Sequence, residues 1–124
     1  MASTIPFKLI TPTKVVFEGD AELVIAVTTE GEEGILPHHA PFLAALKPGV
    51  LRANVVGDGK TERLELATGE GFLQALPDRL TILVDEALRF EDVDVARTRE
   101  ELATATDPAA IDFANAKLRL VGSH

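Results

Sequence analysis

The residues most able to do chemistry lie in GEEGILPHHAPF, positions 31–42, where two adjacent histidines follow a run of glutamates and glycines. Imidazole nitrogens and carboxylate oxygens are common zinc ligands and common groups in acid–base catalysis. His38 and His39 are therefore candidates for a metal or acid–base site. The same stretch also fits a shaped surface loop, because Pro37 and Pro41 would stiffen its backbone.

The arrangement of the histidines disfavours a metal site. Adjacent residues of an extended chain point to opposite sides, so His38 and His39 would not easily bind one ion. The third histidine, His124, is the last residue of the sequence, where order is often poor. The chain has no cysteine, which excludes thiolate ligands and disulfides. A stand-alone β-sandwich enzyme or ligand-binding protein with a metal at His38 or His39 remains the alternative interpretation.

Other kinds of catalytic site find little support. Ser3 and Ser123 are the only serines, and neither lies in the Gly-x-Ser-x-Gly motif of a nucleophilic serine. Residues 57–60, GDGK, are more economically a hairpin turn than part of a phosphate-binding loop. The side chains therefore favour a binding or structural module over an enzyme, since recognition often lies on loops held by a rigid scaffold.

Composition narrows the possible partners. The chain has 124 residues, of which 46% are hydrophobic, enough for one folded domain with an appendage. The net charge of −8 and the absence of Trp and Tyr argue against nucleic acid as a partner. The N-terminus, MASTIPFKLITPT, does not resemble a secretory signal. No window approaches the roughly 20 apolar residues of a spanning helix, so we expect membrane association only through partner subunits.

Short runs of strand-forming residues separated by turn signals fill the chain up to residue 90. The runs predict strands over residues 7–10, 15–17, 23–29, 43–46, 50–56, 61–67, 72–76 and 80–84. Turns are predicted at residues 18–20 (EGD) and 57–59 (GDG), the second as the loop of a hairpin. Several short strands at this spacing predict an all-β sandwich or barrel.

The last third of the chain predicts two helices of about 14 residues, a length that is marginal in isolation. Asp92 or Asp94 can cap a first helix that runs to about Ala105. Asp107 can cap a second helix that starts with Pro108, where the missing N–H costs nothing. We therefore expect an antiparallel helical hairpin that packs on itself, on the sandwich or on a partner.

The second helix is predicted to end at Gly122 and to carry its apolar residues on one stripe. The stripe consists of Ile111, Ala114, Leu118 and Val121. Alanine at the seam between the helices would allow close packing but bury little area, which predicts a weakly held hairpin.

The order of motifs resembles the epsilon subunit of F-type ATP synthase, which is called delta in mitochondria. Residues 29–52, TEGEEGILPHHAPFLAALKPGVLR, carry the resemblance most strongly, with a glycine–acid turn, Gly-Ile-x-Pro-x-His-Ala-Pro, a strand and Lys-Pro-Gly. It continues through GEGFLQALPDRLTILVDEALR at 69–89, EDVDVARTREEL at 91–102 and AAIDFANAKLRL at 109–120. The resemblance therefore covers nearly the whole chain in the same order.

The resemblance implies a β-sandwich domain over residues 1–88 and a short C-terminal two-helix hairpin over residues 89–124. It implies a non-catalytic subunit in the rotating central stalk of a proton-translocating synthase. There the sandwich would bind the gamma subunit and rest on the c-ring, helping to couple proton flow to ATP synthesis. The protein would lie peripheral to a bacterial membrane on its cytoplasmic side, or on the stromal face of the thylakoid in a plastid.

Residue roles follow where the motif matches. The resemblance implies that Glu32 and His39 contact the c-ring, with Glu32 at the tip of the loop and His39 as its neighbour or brace. Glycines would turn this loop and prolines would stiffen it. These loop-shaping residues are Gly31, Gly34, Pro37 and Pro41.

The helical hairpin departs from the usual family pattern by being short. In the family it can extend along gamma towards the catalytic alpha and beta subunits and inhibit ATP hydrolysis. Residues 91–124 carry seven acidic and four basic residues, and only Lys117 and Arg119 are basic in the last helix. Because an acidic catalytic-subunit segment would require more basic residues, we expect weak or absent inhibition.

Some bacterial relatives bind ATP at the hairpin through a pattern like Ile/Leu-Asp-x-x-Arg-Ala. Residues 93–98, VDVART, match this pattern only at Asp94 and Arg97. An aspartate at a helix start with an arginine three residues later is also an ordinary cap and surface pair. We therefore expect no physiological ATP binding and no other cofactor.

Overall fold

Nine β-strands, a 3₁₀ turn and two α-helices follow one another in the computed structural model, which describes residues 3–124. The strands are β1 (Ile5–Ile10), β2 (Val15–Thr28), β3 (Gly31–Ile35), β4 (Phe42–Leu46), β5 (Gly49–Gly57), β6 (Lys60–Thr68), β7 (Gly71–Leu76), β8 (Arg79–Val84) and β9 (Ala87–Leu88). The 3₁₀ turn covers Phe90–Asp92, and the helices are α1 (Val95–Thr104) and α2 (Pro108–Gly122). Within residues 3–124, neither helix is long and apolar enough to cross a membrane.

The strands form a β-sandwich in which the 14-residue strand β2 contributes to both layers. The first part of β2 pairs with β1, which is followed across the sheet by β8, β7 and β4. The later part pairs with β3 and β5, and β5 is followed by β6 and β9. The predicted fold, a β-sandwich followed by a pair of helices, is confirmed.

Alternate residues of the strands point into the space between the layers, as the period-2 geometry of a strand requires. In β1, Ile5, Phe7 and Leu9 are each at most 1% exposed. In β8, which pairs with β1 in parallel, Leu80 and Ile82 are buried in the same way. These side chains belong to one hydrophobic cluster that fills the sandwich, and its removal from water drives the two layers together.

The predicted hairpin at residues 57–59 is confirmed. Gly57 pairs with Lys60, so Asp58 and Gly59 form a two-residue turn between β5 and β6. Their φ angles of 51° and 75° are left-handed, which is the backbone twist that favoured hairpin turns require.

The predicted turn at residues 18–20 is wrong, because β2 runs through it. Gly19 lies in this strand opposite Phe7 of β1. The ring of Phe17 covers the glycine, and its Cζ atom lies 3.0 Å from the position that a Cβ on Gly19 would take. Strand pairing and an aromatic ring therefore override the local turn signal.

The predicted helix caps are confirmed. Asp94 Oδ1 accepts a hydrogen bond from the backbone N–H of Arg97 at 3.1 Å, and Asp107 Oδ2 accepts one from Ala110 at 3.3 Å. Helix α1 is shorter than expected, with 10 residues, and ends at Thr104.

Helix α2 lies on the outer face of β5 and β6 and forms a second hydrophobic cluster there, separate from the core of the sandwich. This cluster consists of Ala67, Phe113, Ala116 and Leu120, with Val50 and Leu88 at its margin. Helix α1 packs against α2 instead of the sheet. Between the helices, Lys117 Nζ lies 3.1 Å from Glu101 Oε1.

The buried face of α2 differs from the predicted apolar stripe. Of that stripe, Ala114 is buried, whereas Ile111, Leu118 and Val121 are only half-buried. Helical spacing identifies residues that share a face, but the position of the sheet decides which face becomes buried.

Candidate interaction surfaces

The turn between β2 and β3 is tightly specified by its own residues. The Thr28 hydroxyl donates a hydrogen bond to the Gly31 carbonyl at 2.7 Å, and the backbone N–H of Glu30 donates one to the Thr28 hydroxyl at 3.2 Å. Gly31 has a φ of +120°, which L-residues rarely adopt. The tip of this turn is therefore formed by Thr29 and Glu30, and Gly31 allows the chain to re-enter the sheet.

Glu32 does not lie at the tip of a loop, because it belongs to strand β3 and pairs with Val27 of β2. Its carboxylate Oε2 accepts a hydrogen bond from Arg52 Nη2 at 2.7 Å. The Glu32 side chain is still 57% exposed, compared with 31% for Arg52. The carboxylate is therefore oriented by an arginine and remains accessible to a partner.

His39 lies in the segment that joins β3 to β4 and has contacts within that segment. Its Nδ1 donates a hydrogen bond to the Ala40 carbonyl at 3.0 Å, and its ring centroid lies 4.9 Å from that of Phe42. The neighbouring His38 has a left-handed φ of 65°. Leu36 in the same segment is 57% exposed. This segment thus presents an exposed apolar side chain and a histidine that is held by contacts within its own loop.

Glu32 lies in β3, and His39 lies in the segment that follows this strand. Pro37 lies in the same connecting segment as His39, whereas Gly34 lies inside the strand and does not have a positive φ. Pro41 directly precedes β4.

The structure also shows where the candidate residues for binding a metal ion or ATP lie. Among residues 3–124, no group of three or more His, Cys, Asp or Glu side chains is arranged to hold a metal ion. Asp94 caps α1, where its side chain bonds to the backbone of Arg97 and its carbonyl accepts the Thr98 hydroxyl at 2.7 Å. The capping geometry gives this Asp–Arg spacing a structural explanation.

The outer face of the layer that contains β1, β8, β7 and β4 carries a continuous apolar row. The strand register places residues of five strands next to one another across this face. This apolar stripe consists of Ala45, Phe72, Leu83, Ile10 and Val15. Phe72, Leu83 and Val15 are 59%, 44% and 51% exposed.

A polar row lies beside the apolar stripe. Moving along the strands, the next outward-facing row contains Gln74, Thr81, Lys8 and Glu18, and begins at Leu43 of β4. Lys8 and Glu18 form an exposed ion pair at 3.9 Å. An exposed apolar row with a polar border is the arrangement that marks protein–protein contact surfaces.

The apolar stripe was not predicted from the residue patterns, although the sequence of β8 gives an indication of it. In β8, Ile82, Leu83 and Val84 are consecutive, so both faces of this strand carry apolar side chains. A strand with one solvated face should instead alternate between apolar and polar residues. The missing alternation indicates that the outer face of this layer carries more apolar surface than a fully solvated face would.

Comparison with families of known proteins gives one match to the sandwich. The family model described as "ATP synthase, Delta/Epsilon chain, beta-sandwich domain" matches residues 4–90.

Relatives named ATP synthase epsilon chain match most of the sequence. The protein from Chromobacterium violaceum is 39% identical over 113 residues, covering 89% of this chain and 79% of the relative. The protein from Xanthomonas axonopodis pv. citri is 38% identical over 123 residues, covering 95% of this chain and 86% of the relative. The protein from Desulfosudis oleivorans is 42% identical over 97 residues, covering 78% and 71%.

Solved structures share the fold at low sequence identity. A chain in the cryo-EM structure of the central stalk and c-ring of the Tetrahymena thermophila mitochondrial ATP synthase gives a TM-score of 0.68 at 19% identity, covering 98% of this chain and 96% of that chain. A chain in the Euglena gracilis mitochondrial ATP synthase gives a TM-score of 0.65 at 20% identity, covering 96% and 78%. At sequence identities of 19% and 20%, this similarity shows a shared fold.

Proposed function

The chain belongs to the delta/epsilon family of ATP synthase subunits, and from this premise we propose that it is a non-catalytic rotor subunit of the central stalk. In this role the sandwich binds the gamma subunit and contacts the c-ring, so that proton flow is coupled to ATP synthesis. The protein is then peripheral to the membrane and reaches it only through the complex, on the cytoplasmic or stromal side. The apolar stripe is the observation that supports this role most strongly.

We propose that the apolar stripe is the contact surface for gamma. Helix α2 already covers the outer face of β5 and β6, whereas the stripe lies on the other outer face and remains exposed. Fully burying a Phe or Leu side chain contributes about 1.5–3 kcal/mol, and Phe72 and Leu83 each have roughly half of that still available. A partner that covers both side chains would gain about 1.5–3 kcal/mol from these two residues.

We propose that the c-ring contact includes Glu32 and His39. A standard interface covers about 800 Å² on each partner, which is wide enough to include a residue of β3 and one of the segment that follows it. Glu32 offers a carboxylate that Arg52 holds in place, and a preoriented group loses little conformational entropy on docking. His39 is held against Phe42, so its ring would offer a rigid edge to the partner, and Leu36 in the same segment is exposed.

We propose that the hairpin of residues 89–124 inhibits ATP hydrolysis weakly or not at all, and that the sandwich domain ends near residue 88. In α2, Lys117 is 8% exposed and is paired with Glu101, so it offers little positive charge to an acidic segment of the catalytic head. Arg119 is the basic residue in the last turn of the helix. Contact with the alpha and beta subunits would therefore depend on very few cations.

Binding of purified gamma to the full chain tests the assignment of the stripe. Phe72→Asp places a charge in the middle of the row, and we expect gamma affinity to fall at least tenfold because central apolar anchors dominate interface energies. Leu36→Asp is the matched control, since Leu36 is 57% exposed, close to the 59% of Phe72, but lies outside the stripe. Equal affinities of Phe72→Asp and the unaltered chain would contradict the proposed gamma surface.

A further inference from the structure

One side chain joins the end of α2 to two other parts of the molecule. The His124 ring stacks on the Phe90 ring, with centroids 4.2 Å apart and planes 4° from parallel. On the same histidine, Nε2 lies 3.3 Å from Oε1 of Glu65 in β6. The Glu65 and His124 side chains are only 18% and 30% exposed, so both contacts are partly shielded from water.

These contacts connect the two ends of the helical segment to the sheet. Phe90 lies in the 3₁₀ turn where the last strand gives way to the helices, and His124 follows α2 at the other end. Glu65 lies on the outer face of the strand that α2 covers. A protonated His124 forms an ion pair with Glu65, and a neutral imidazole can still donate its Nε2–H to the carboxylate.

The remaining attachment of the helices to the sandwich is small. Four buried apolar residues form the seam under α2, and this cluster is separate from the core that holds the two layers together. At the other end of α2, Lys47 Nζ and Asp112 Oδ2 are 3.8 Å apart with side chains 48% and 41% exposed. Exposed pairs of this kind contribute little. The helices could therefore leave the sheet without opening the main core.

We propose that Phe90, Glu65 and His124 form a clasp that sets the fraction of molecules in which α2 lies on the sandwich. With the clasp closed, α2 covers β5 and β6 and is not available to a partner. With the clasp open, the short helices are released as a unit while the sandwich stays folded. All contacts of the clasp lie within this chain, so the proposal does not depend on binding to gamma or to the c-ring.

Thiol labelling measures the release directly, because the chain has no cysteine of its own. Ala67→Cys places a reporter under α2, and Ala75→Cys places a control reporter in the main core; both alanines are 0% exposed. A thiol under the helix reacts only when the helix leaves, so its labelling rate reports the ratio of docked to released molecules. The thiol in the core reacts only on global unfolding.

We expect His124→Ala to speed labelling at position 67 roughly tenfold, because it removes both an aromatic stack and a partly shielded polar contact. Phe90→Ala removes the stack alone, so its effect should be smaller. Labelling at position 75 should not change. His124→Tyr keeps a stacking ring but loses the imidazole nitrogens, so its effect should be smaller than that of His124→Ala. His38→Ala is the matched histidine control and should have no effect at either position.

Two results would overturn the clasp. If His124→Ala leaves the labelling rate at position 67 unchanged, the contacts do not hold the helix. If His124→Ala raises the rates at positions 67 and 75 by the same factor, the helix does not leave independently of the sandwich. Neither result would bear on gamma or c-ring binding, which is measured separately.

Discussion

Replacing Glu32 by lysine tests whether this carboxylate contacts the c-ring or only orients Arg52. The wild-type pair is short, at 2.7 Å, but Glu32 is 57% exposed, so water screens the attraction. A pair of this kind contributes about 0.5–1 kcal/mol, and placing Lys opposite Arg52 adds repulsion of similar size. The expected loss of stability is therefore about 1–2 kcal/mol, well below the 5–15 kcal/mol that holds a typical domain.

The charge swap Glu32→Arg with Arg52→Glu separates the two roles of Glu32. The double variant restores an ion pair but moves the carboxylate to β5, on the other side of β2, so thermal stability should recover most of the loss seen in Glu32→Lys. ATP-driven proton pumping in membranes that contain the assembled synthase measures coupling. We expect Glu32→Lys and the double variant both to pump poorly, and Glu32→Gln to be impaired less.

Recovery of both stability and pumping in the double variant would refute the c-ring contact. In that case the carboxylate at position 32 would matter only through its bond to Arg52. Loss of folding in Glu32→Lys would likewise contradict the small magnitude derived from the exposure of the pair.

Further predictions concern the turn, the first helix and the hairpin. Gly31→Ala should lower stability by about 1–3 kcal/mol in thermal unfolding, because the φ of Gly31 is strained for any side chain, whereas Gly34→Ala should have a much smaller effect. Asp94→Ala should lower the free energy of unfolding by about 1 kcal/mol, because the α1 cap is lost. Calorimetric titration of the unaltered chain with ATP should show no micromolar binding. Adding the chain to its own synthase lacking this subunit should inhibit ATP hydrolysis weakly. Strong inhibition that depends on residues after 90 would show that the hairpin is inhibitory.

Features decided by neighbouring residues could be predicted from the sequence. The turn at residues 57–59 and the Asp107–Pro108 helix start rest on local backbone preferences, and both lie in the structure where those preferences place them. The similarity of the sandwich to a known family likewise rests on a long local motif, residues 29–52.

Features decided by distant residues could not be predicted in this way. The strand through Gly19 depends on its pairing with Phe7 and on the covering ring of Phe17, neither of which a turn signal reflects. The expectation of Glu32 at the tip of a loop is wrong, because residues 31–35 pair with β2 as strand β3.

Contacts between side chains that are distant in the sequence could not be predicted either. The partner of Glu32 is 20 positions away in the sequence, at Arg52. The partners of His124 lie in β6 and in the 3₁₀ turn. Only the register of the strands and the docking of α2 bring these residues together.

The central claim, that this chain is a central-stalk subunit, is tested most directly by its partners in the cell. A tagged chain should be purified from detergent-solubilised membranes of cells that express the synthase, and its associated proteins and metals quantified. A central-stalk subunit should be recovered with stoichiometric gamma and the c-ring, and Phe72→Asp should reduce this recovery. Recovery of the chain without gamma and the c-ring, or with stoichiometric zinc or iron at His38 or His39, would contradict this claim.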